Sequence, residues 1–198
     1  MAYTDYNWVT DRLAIGGFVR ESDEDLPFDA ILSMETHAPA GLRELVQSGR
    51  VDYQWRSIID GICDEENDEI VRRFDDAADQ LHAWLQDEKR VLVHCFAGVS
   101  RSVTAVIWYL IRYEGRTWDE ALEMIKAGRT VANPNIRFEI PLRIESGEDL
   151  TEEWIEQRIL AYCAHQKAEY NVDVEPSEVW DTLERQGTLR DRTAAAAG

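Results

Sequence analysis

The stretch Arg90-Val-Leu-Val-His-Cys-Phe-Ala-Gly-Val-Ser-Arg-Ser102 constrains the fold more than any other part of the chain. Three apolar, β-prone residues, Val91 to Val93, lead into His94 and Cys95. Five residues containing Gly98 separate Cys95 from Arg101, and an apolar helix-like run follows Ser102. The pattern predicts strand, tight loop, helix. In such a loop the backbone N–H groups and the positive end of the helix macrodipole converge on one point, which attracts a dianion. Arg101 is placed to close on the same anion, because a guanidinium gives two parallel hydrogen bonds to two phosphate oxygens. The same field favours the thiolate of Cys95, the nucleophilic form, and a phosphate held against that sulfur is positioned for attack at phosphorus.

The form Val-His-Cys-Phe-Ala-Gly-Val-Ser-Arg-Ser resembles the signature loop of the dual-specificity protein phosphatases, within the cysteine-dependent protein tyrosine phosphatase superfamily. The resemblance covers about residues 5–145 and includes the apolar-glycine segment Leu13-Ala14-Ile15-Gly16-Gly17. It implies that Cys95 forms a phosphocysteine, that Arg101 binds phosphate and stabilises the transition state, and that Ser102 helps the thiolate leave. His94 is expected to orient the loop and support the thiolate. Phe96, Ala97, Gly98, Val99 and Ser100 are expected to hold the phosphate together with Arg101. The resemblance further implies a general acid, an Asp on a loop just after a strand. Asp60 ends the apolar run Ser57-Ile58-Ile59 and lies 35 positions ahead of Cys95; Asp64 lies 31 ahead. The strand-end position favours Asp60, and the spacing keeps Asp64 as the alternative. The loop interior carries no Lys or Arg, which favours a phosphoprotein substrate over a phosphoinositide or an RNA 5′-phosphate. No Trp-Pro-Asp triplet is present, so the implied site is shallow and accepts phosphotyrosine as well as phosphoserine and phosphothreonine. A rhodanese-like sulfurtransferase and a catalytically idle phosphopeptide-binding module are the readings from other classes; His94 and the Ser100-Arg101-Ser102 ending weigh against the first, and the presence of both Cys95 and Arg101 against the second.

Elsewhere the pattern predicts α/β architecture: a central, mostly parallel sheet flanked by helices, with extra C-terminal helices. One or two short strands with a turn are expected across Asn7–Val9 and Leu13–Gly17, and strands at Asp29–Met34 and Val51–Ile59 with a short helix over 41–47 between them. Ile70, Val71, Phe74, Ala77, Ala78, Leu81, Trp84 and Leu85 recur at helical spacing in 68–86, so this stripe is expected to be core. Val103 to Tyr113 is apolar on most faces and is expected to be a buried helix. Thr117-Trp-Asp-Glu120 is a capping box, and Asn133-Pro134-Asn135 breaks the pattern before a short helix over 136–141. The expected organisation is a catalytic domain over 1–145, a helical extension over 146–190 with helices from Thr151 to about Ala168 and from Pro176, and a disordered tail at 191–198.

Composition bounds the partners. Asp and Glu number 39 against 21 Lys and Arg, a net charge of −18, which disfavours nucleic acid as a partner. A surface so acidic repels itself unless salt screens it, and points to a halophilic, haloarchaeal source. No apolar run spans a bilayer and the N-terminus lacks the regions of a signal peptide, so a cytoplasmic protein without membrane contact is expected. Three Cys, at 63, 95 and 163, form neither a disulfide framework nor a metal-like spacing, so neither metal nor cofactor is expected. A reactive Cys95 is also open to reversible oxidation.

Overall fold

Five short strands form one sheet in the order β1-β2-β5-β3-β4. They are β1 (Tyr6–Trp8), β2 (Leu13–Gly16), β3 (Ala30–Ser33), β4 (Asp52–Trp55) and β5 (Val91–His94). The computed structural model describes residues 5–19, 26–37, 42, 46–61 and 66–188. Strand β1 runs antiparallel to β2, and the pairs β2·β5, β5·β3 and β3·β4 are parallel. All four residues of β5 are buried, as an apolar strand with both faces covered should be. Its last residue, His94, pairs with Gly16 on one side and Ser33 on the other, so three strands end level. A chain leaving β5 there emerges at the carboxyl edge of the sheet, where α/β proteins place their ligands.

The described residues fall into two compact units. The first is drawn from residues 1–60 and 72–135, the second from 61–71 and 136–198. Helix α1 (Asn67–Gln86) begins in the second and continues through the first. Of its expected stripe Ile70, Phe74, Ala77, Ala78, Leu81 and Trp84 are buried, while Val71 and Leu85, at the edge of the stripe, are only half-buried. In the first unit, α2 (Arg101–Glu114) packs on β5 and β2, and α3 (Trp118–Gly128) packs on α2. Residues 101–110 of α2 are all buried. Thr117 and Glu120 close the expected capping box, Glu120 N–H donating to Thr117 Oγ1 and Thr117 N–H to the Glu120 carboxylate. One sheet face is covered by Val19, Phe28, Leu42 and Val51, packed with Ala14, Ile31 and Leu92.

The second unit holds α4 (Ile136–Glu145), α5 (Glu152–Tyr170) and α6 (Pro176–Arg185). Ile136, Ile140, Leu150, Ile155, Ile159, Val179 and Leu183 form its core. Thr151 Oγ1 caps α5 and Pro176 opens α6, a position where its missing N–H costs nothing.

Two boundaries differ from expectation. Helix α4 runs on to Glu145 rather than ending near Pro141. A proline inside a helix deletes one backbone bond, but Ile140 and Leu142 are buried on either side of it, and the Glu139 carboxylate pairs with Arg143 one turn on and with Arg158 of α5 at 2.7 Å. Strand β4 stops at Trp55 although the apolar run continues to Ile59. After Arg56 N–H bonds Ser33 O at 2.8 Å the chain leaves the ladder. The helix expected over 41–47 lies mostly outside the described residues, with Leu42 in a 3₁₀ turn and 46–47 helical, and the tail at 191–198 lies wholly outside them.

Candidate active site

Strand β5 ends at His94 and α2 begins at Arg101, so residues 95–100 make the whole turn between strand and helix. Every carbonyl from 96 to 100 accepts a hydrogen bond from outside that turn. Phe18 N–H donates to Phe96 O at 3.0 Å, Asn133 N–H to Val99 O at 2.8 Å and Thr104 N–H to Ser100 O at 2.8 Å. Arg129 Nη2 donates to Ala97 O at 3.0 Å and its Nε to Gly98 O. Because a peptide group is planar and trans, carbonyls turned outward aim the following N–H groups the opposite way. The N–H groups of residues 97–101 donate to no described residue. Five unpartnered donors, from Ala97, Gly98, Val99, Ser100 and Arg101, thus turn away from the bonded carbonyls at the start of α2. Gly98 has φ 65°, and a Cβ there would fall 2.6 Å from the Gly16 backbone, so only glycine fits this corner.

Cys95 is buried at the mouth of the turn. Its N–H donates to Gly16 O at 3.3 Å, and its Sγ lies 3.3 Å from Ser102 Oγ in the first turn of α2. The Arg101 guanidinium is buried and held on one side: Nη1 donates to Met34 O and Ile58 O, both at 3.3 Å, and to Thr36 Oγ1 at 3.4 Å. One of these acceptors accounts for the early end of β4, since the Ile58 carbonyl faces the arginine rather than a neighbouring strand. Asp60 Oδ2 lies 3.4 Å from Arg101 Nε. Asp60 Oδ1 accepts from Ser100 Oγ at 3.0 Å and Asn135 Nδ2 at 3.2 Å. Asn135 N–H in turn donates to Ser100 Oγ at 3.1 Å. The structure therefore brings Cys95, Arg101, Ser102, Ser100 and Asp60 into one cluster. Asp64 lies outside the described residues.

His94 is buried beneath the turn, and neither ring nitrogen makes a hydrogen bond of normal geometry among the described residues. Burial pushes its pKa down to about 4, with the nearby Arg101 charge acting in the same direction and the Cys95 backbone partly opposing. The ring is therefore neutral at physiological pH.

Three residues of this neighbourhood escape a reading of the sequence. Glu35, just past β3, is buried with its carboxylate 3.6 Å from Arg101 Nη1. Burial raises its pKa above the ordinary carboxylate range, against the pull of the Arg101 charge. Asn135 lies in the segment that reads only as a break in pattern. Arg129 follows α3 as one arginine among many. None carries a local motif, and each reaches the turn across 31 residues or more of sequence, as the Arg129–Gly98 separation illustrates.

Residues 19–144 match the family described as dual specificity phosphatase, catalytic domain. The match spans well over half of the chain, and the protein belongs to this family of cysteine-dependent phosphatases. Among relatives, dual specificity protein phosphatase 22 of Mus musculus is 39% identical over 81 residues, 41% of this chain and 44% of that protein. Dual specificity protein phosphatase 15 of Rattus norvegicus is 45% identical over 69 residues, 35% of this chain and 29% of that protein. The aligned stretches thus span less than half the length of these relatives. The crystal structure of DUSP15 superposes with a TM-score of 0.60 and 26% identity, over 77% of this chain and 94% of that one. The five-stranded, mostly parallel sheet with flanking helices is the fold of these phosphatases.

Proposed function

We propose that the protein hydrolyses phosphomonoesters of phosphotyrosine, phosphoserine and phosphothreonine in proteins through a phosphocysteine intermediate. The observation that carries this reading is the turn at 95–101, where the carbonyls of residues 96–100 are bonded outward, the N–H groups of residues 97–101 donate to no described residue, and Cys95 and Arg101 are both buried. Such a cradle balances the charge that develops on the equatorial oxygens of a transferring phosphoryl group. The Cys95 thiolate attacks phosphorus, a sulfur–phosphorus bond forms, and the bond to the leaving oxygen breaks. Asp60 gives its proton to that oxygen. Water then attacks phosphorus, Asp60 takes a proton from it, and the sulfur leaves as a thiolate stabilised by the Ser102 hydroxyl. His94, neutral and buried, serves to shape the turn rather than to carry charge. Its family membership and the match over 19–144 support a catalytic domain reaching to about residue 145, with the helical extension beyond it.

The absence of Lys and Arg from residues 96–100 supports a phosphoprotein over a more highly charged phosphate ester. The net charge of −18 supports a halophilic setting, and no helix of the described residues is long and apolar enough to cross a membrane. The deciding assay is phosphate release from p-nitrophenyl phosphate and from matched phosphopeptides. Cys95→Ser is expected to abolish turnover while retaining phosphopeptide binding; turnover at the parent rate would sink the mechanism. Asp60→Asn is expected to slow leaving-group departure, most for alkyl esters; if it turns over normally while Asp64→Asn fails, the acid is Asp64.

A further inference from the structure

A single buried side chain holds the outer wall of the phosphate cradle, and its second end grips the N-terminal strand. Arg129 is 3% exposed. Its Nε and Nη2 donate to the carbonyls of Gly98 and Ala97, while Nη1 donates to Asn7 Oδ1 at 2.9 Å and Nη2 to Asp5 Oδ2 at 2.9 Å. Four acceptors, two from the turn and two from β1 and its approach, share one planar group. The three other outward carbonyls are held by backbone N–H groups, which any sequence supplies. The Ser100 carbonyl also accepts from Thr104 Oγ1 at 3.0 Å, but the Ala97 and Gly98 carbonyls are held by a side chain alone.

We infer that Arg129 is the positioning residue of the phosphate cradle, with Asp5 and Asn7 as its brace. The inference rests on the reading of 95–101 as a phosphate site. By fixing two adjacent carbonyls outward, the guanidinium fixes the N–H groups of Gly98 and Val99 inward, where they meet the oxyanion. Gly98, at φ 65°, has unusual freedom, so without the guanidinium these two peptide planes can rotate and present carbonyl oxygen to the phosphate instead. The arginine touches no substrate; its charge lies behind the loop, and its positive field adds to that of the N–H groups in front. Lysine cannot replace it, since one ammonium cannot form the parallel pair to two successive carbonyls while reaching β1. The Asp5 side chain is largely exposed, so the brace is open to solvent at its far end.

The test measures tungstate binding by calorimetry, vanadate inhibition, and hydrolysis of p-nitrophenyl phosphate for the full chain and for Arg129→Lys and Arg129→Met. Both variants are expected to weaken tungstate and vanadate at least about tenfold and to raise KM with them, as loss of two preorganised donors predicts. Their thermal midpoints without oxyanion should fall less than the added stabilisation that tungstate gives the parent. Equal tungstate affinity in parent and folded Arg129→Lys overturns the inference. Should either arginine variant fail to fold, Asp5→Ala and Asn7→Ala decide: a weaker oxyanion affinity at unchanged far-ultraviolet circular dichroism supports it, and an unchanged affinity in the double variant overturns it. A parent that binds no tungstate overturns the phosphate-site reading and this inference together. A parent that binds tungstate without hydrolysing ester overturns only the former's chemistry, and the Arg129 comparison is still read from binding.

Discussion

Replacing His94 by Asn is expected to flatten the acid side of the stability profile. The ring is buried and neutral, with its pKa pushed from an ordinary 6.5 down to about 4. In the unfolded chain the imidazole takes its proton as pH falls through 6.5, whereas the folded protein refuses it until about pH 4. Between those values the unfolded state binds more protons, so stability rises with pH and is lost on acidification. The depressed value makes this stability fully present above pH 6.5. Near pH 5 the loss is about 2 kcal/mol and near pH 4 about 3 kcal/mol, from the limiting slope of about 1.36 kcal/mol per pH unit. The background works in the opposite direction, because acid also neutralises part of the 39 carboxylates whose repulsion opposes folding. The parent alone is therefore uninformative, and the difference between parent and His94→Asn isolates the ring. Urea unfolding at several pH values in constant molar KCl measures it. The variant is expected to start less stable at neutral pH and to converge on the parent towards pH 4. Parallel profiles, differing by less than about 0.5 kcal/mol over that range, would refute the claim that burial holds His94 neutral.

Glu35→Gln is expected to raise stability at neutral pH. Its carboxyl sits above the ordinary range through burial, so the folded state favours the protonated form and loses stability as pH rises through that raised value, a loss that Gln does not suffer. Urea unfolding at neutral pH checks it, and a less stable variant contradicts it. Gly98→Ala is expected to cost about 1–2 kcal/mol for the left-handed backbone alone and to abolish tungstate binding, since the Cβ meets the Gly16 backbone; calorimetry with tungstate reads the second effect. Thermal midpoints are expected to rise from low to molar KCl as salt screens the net charge of −18. A fall with added salt would remove the halophilic reading.

The elements that a sequence can show are those whose causes are local. The turn at 95–101 and helix α2 are legible because Cys95, Gly98, Arg101 and the apolar run after Ser102 are close neighbours in the chain. The capping box at Thr117 and the stripe in α1 are legible for the same reason. Strand β4 reads too long because Ile58 and Ile59 look like strand residues, yet the Ile58 carbonyl is claimed by Arg101, which lies 43 residues on. Helix α4 reads too short because the rule against proline is local, and the burial of Ile140 and the ion pairs of Glu139 are not. Within the site, Asp60 is legible as the end of a strand-like run. Glu35, Asn135 and Arg129 are not, because their partners are set by the meeting of distant segments rather than by any spacing along the chain.

The hold on Arg101 carries a further consequence. Met34 O, Ile58 O, Thr36 Oγ1 and Glu35 all gather at Nη1, and Asp60 Oδ2 stands 3.4 Å from Nε. A free arginine surrenders up to about 2 kcal/mol of rotamer freedom when it is fixed. Here that loss falls at folding, before any ligand arrives. On the proposed reading, a phosphate entering the cradle meets a fork whose conformational entropy is already spent, so more of its intrinsic attraction appears as affinity.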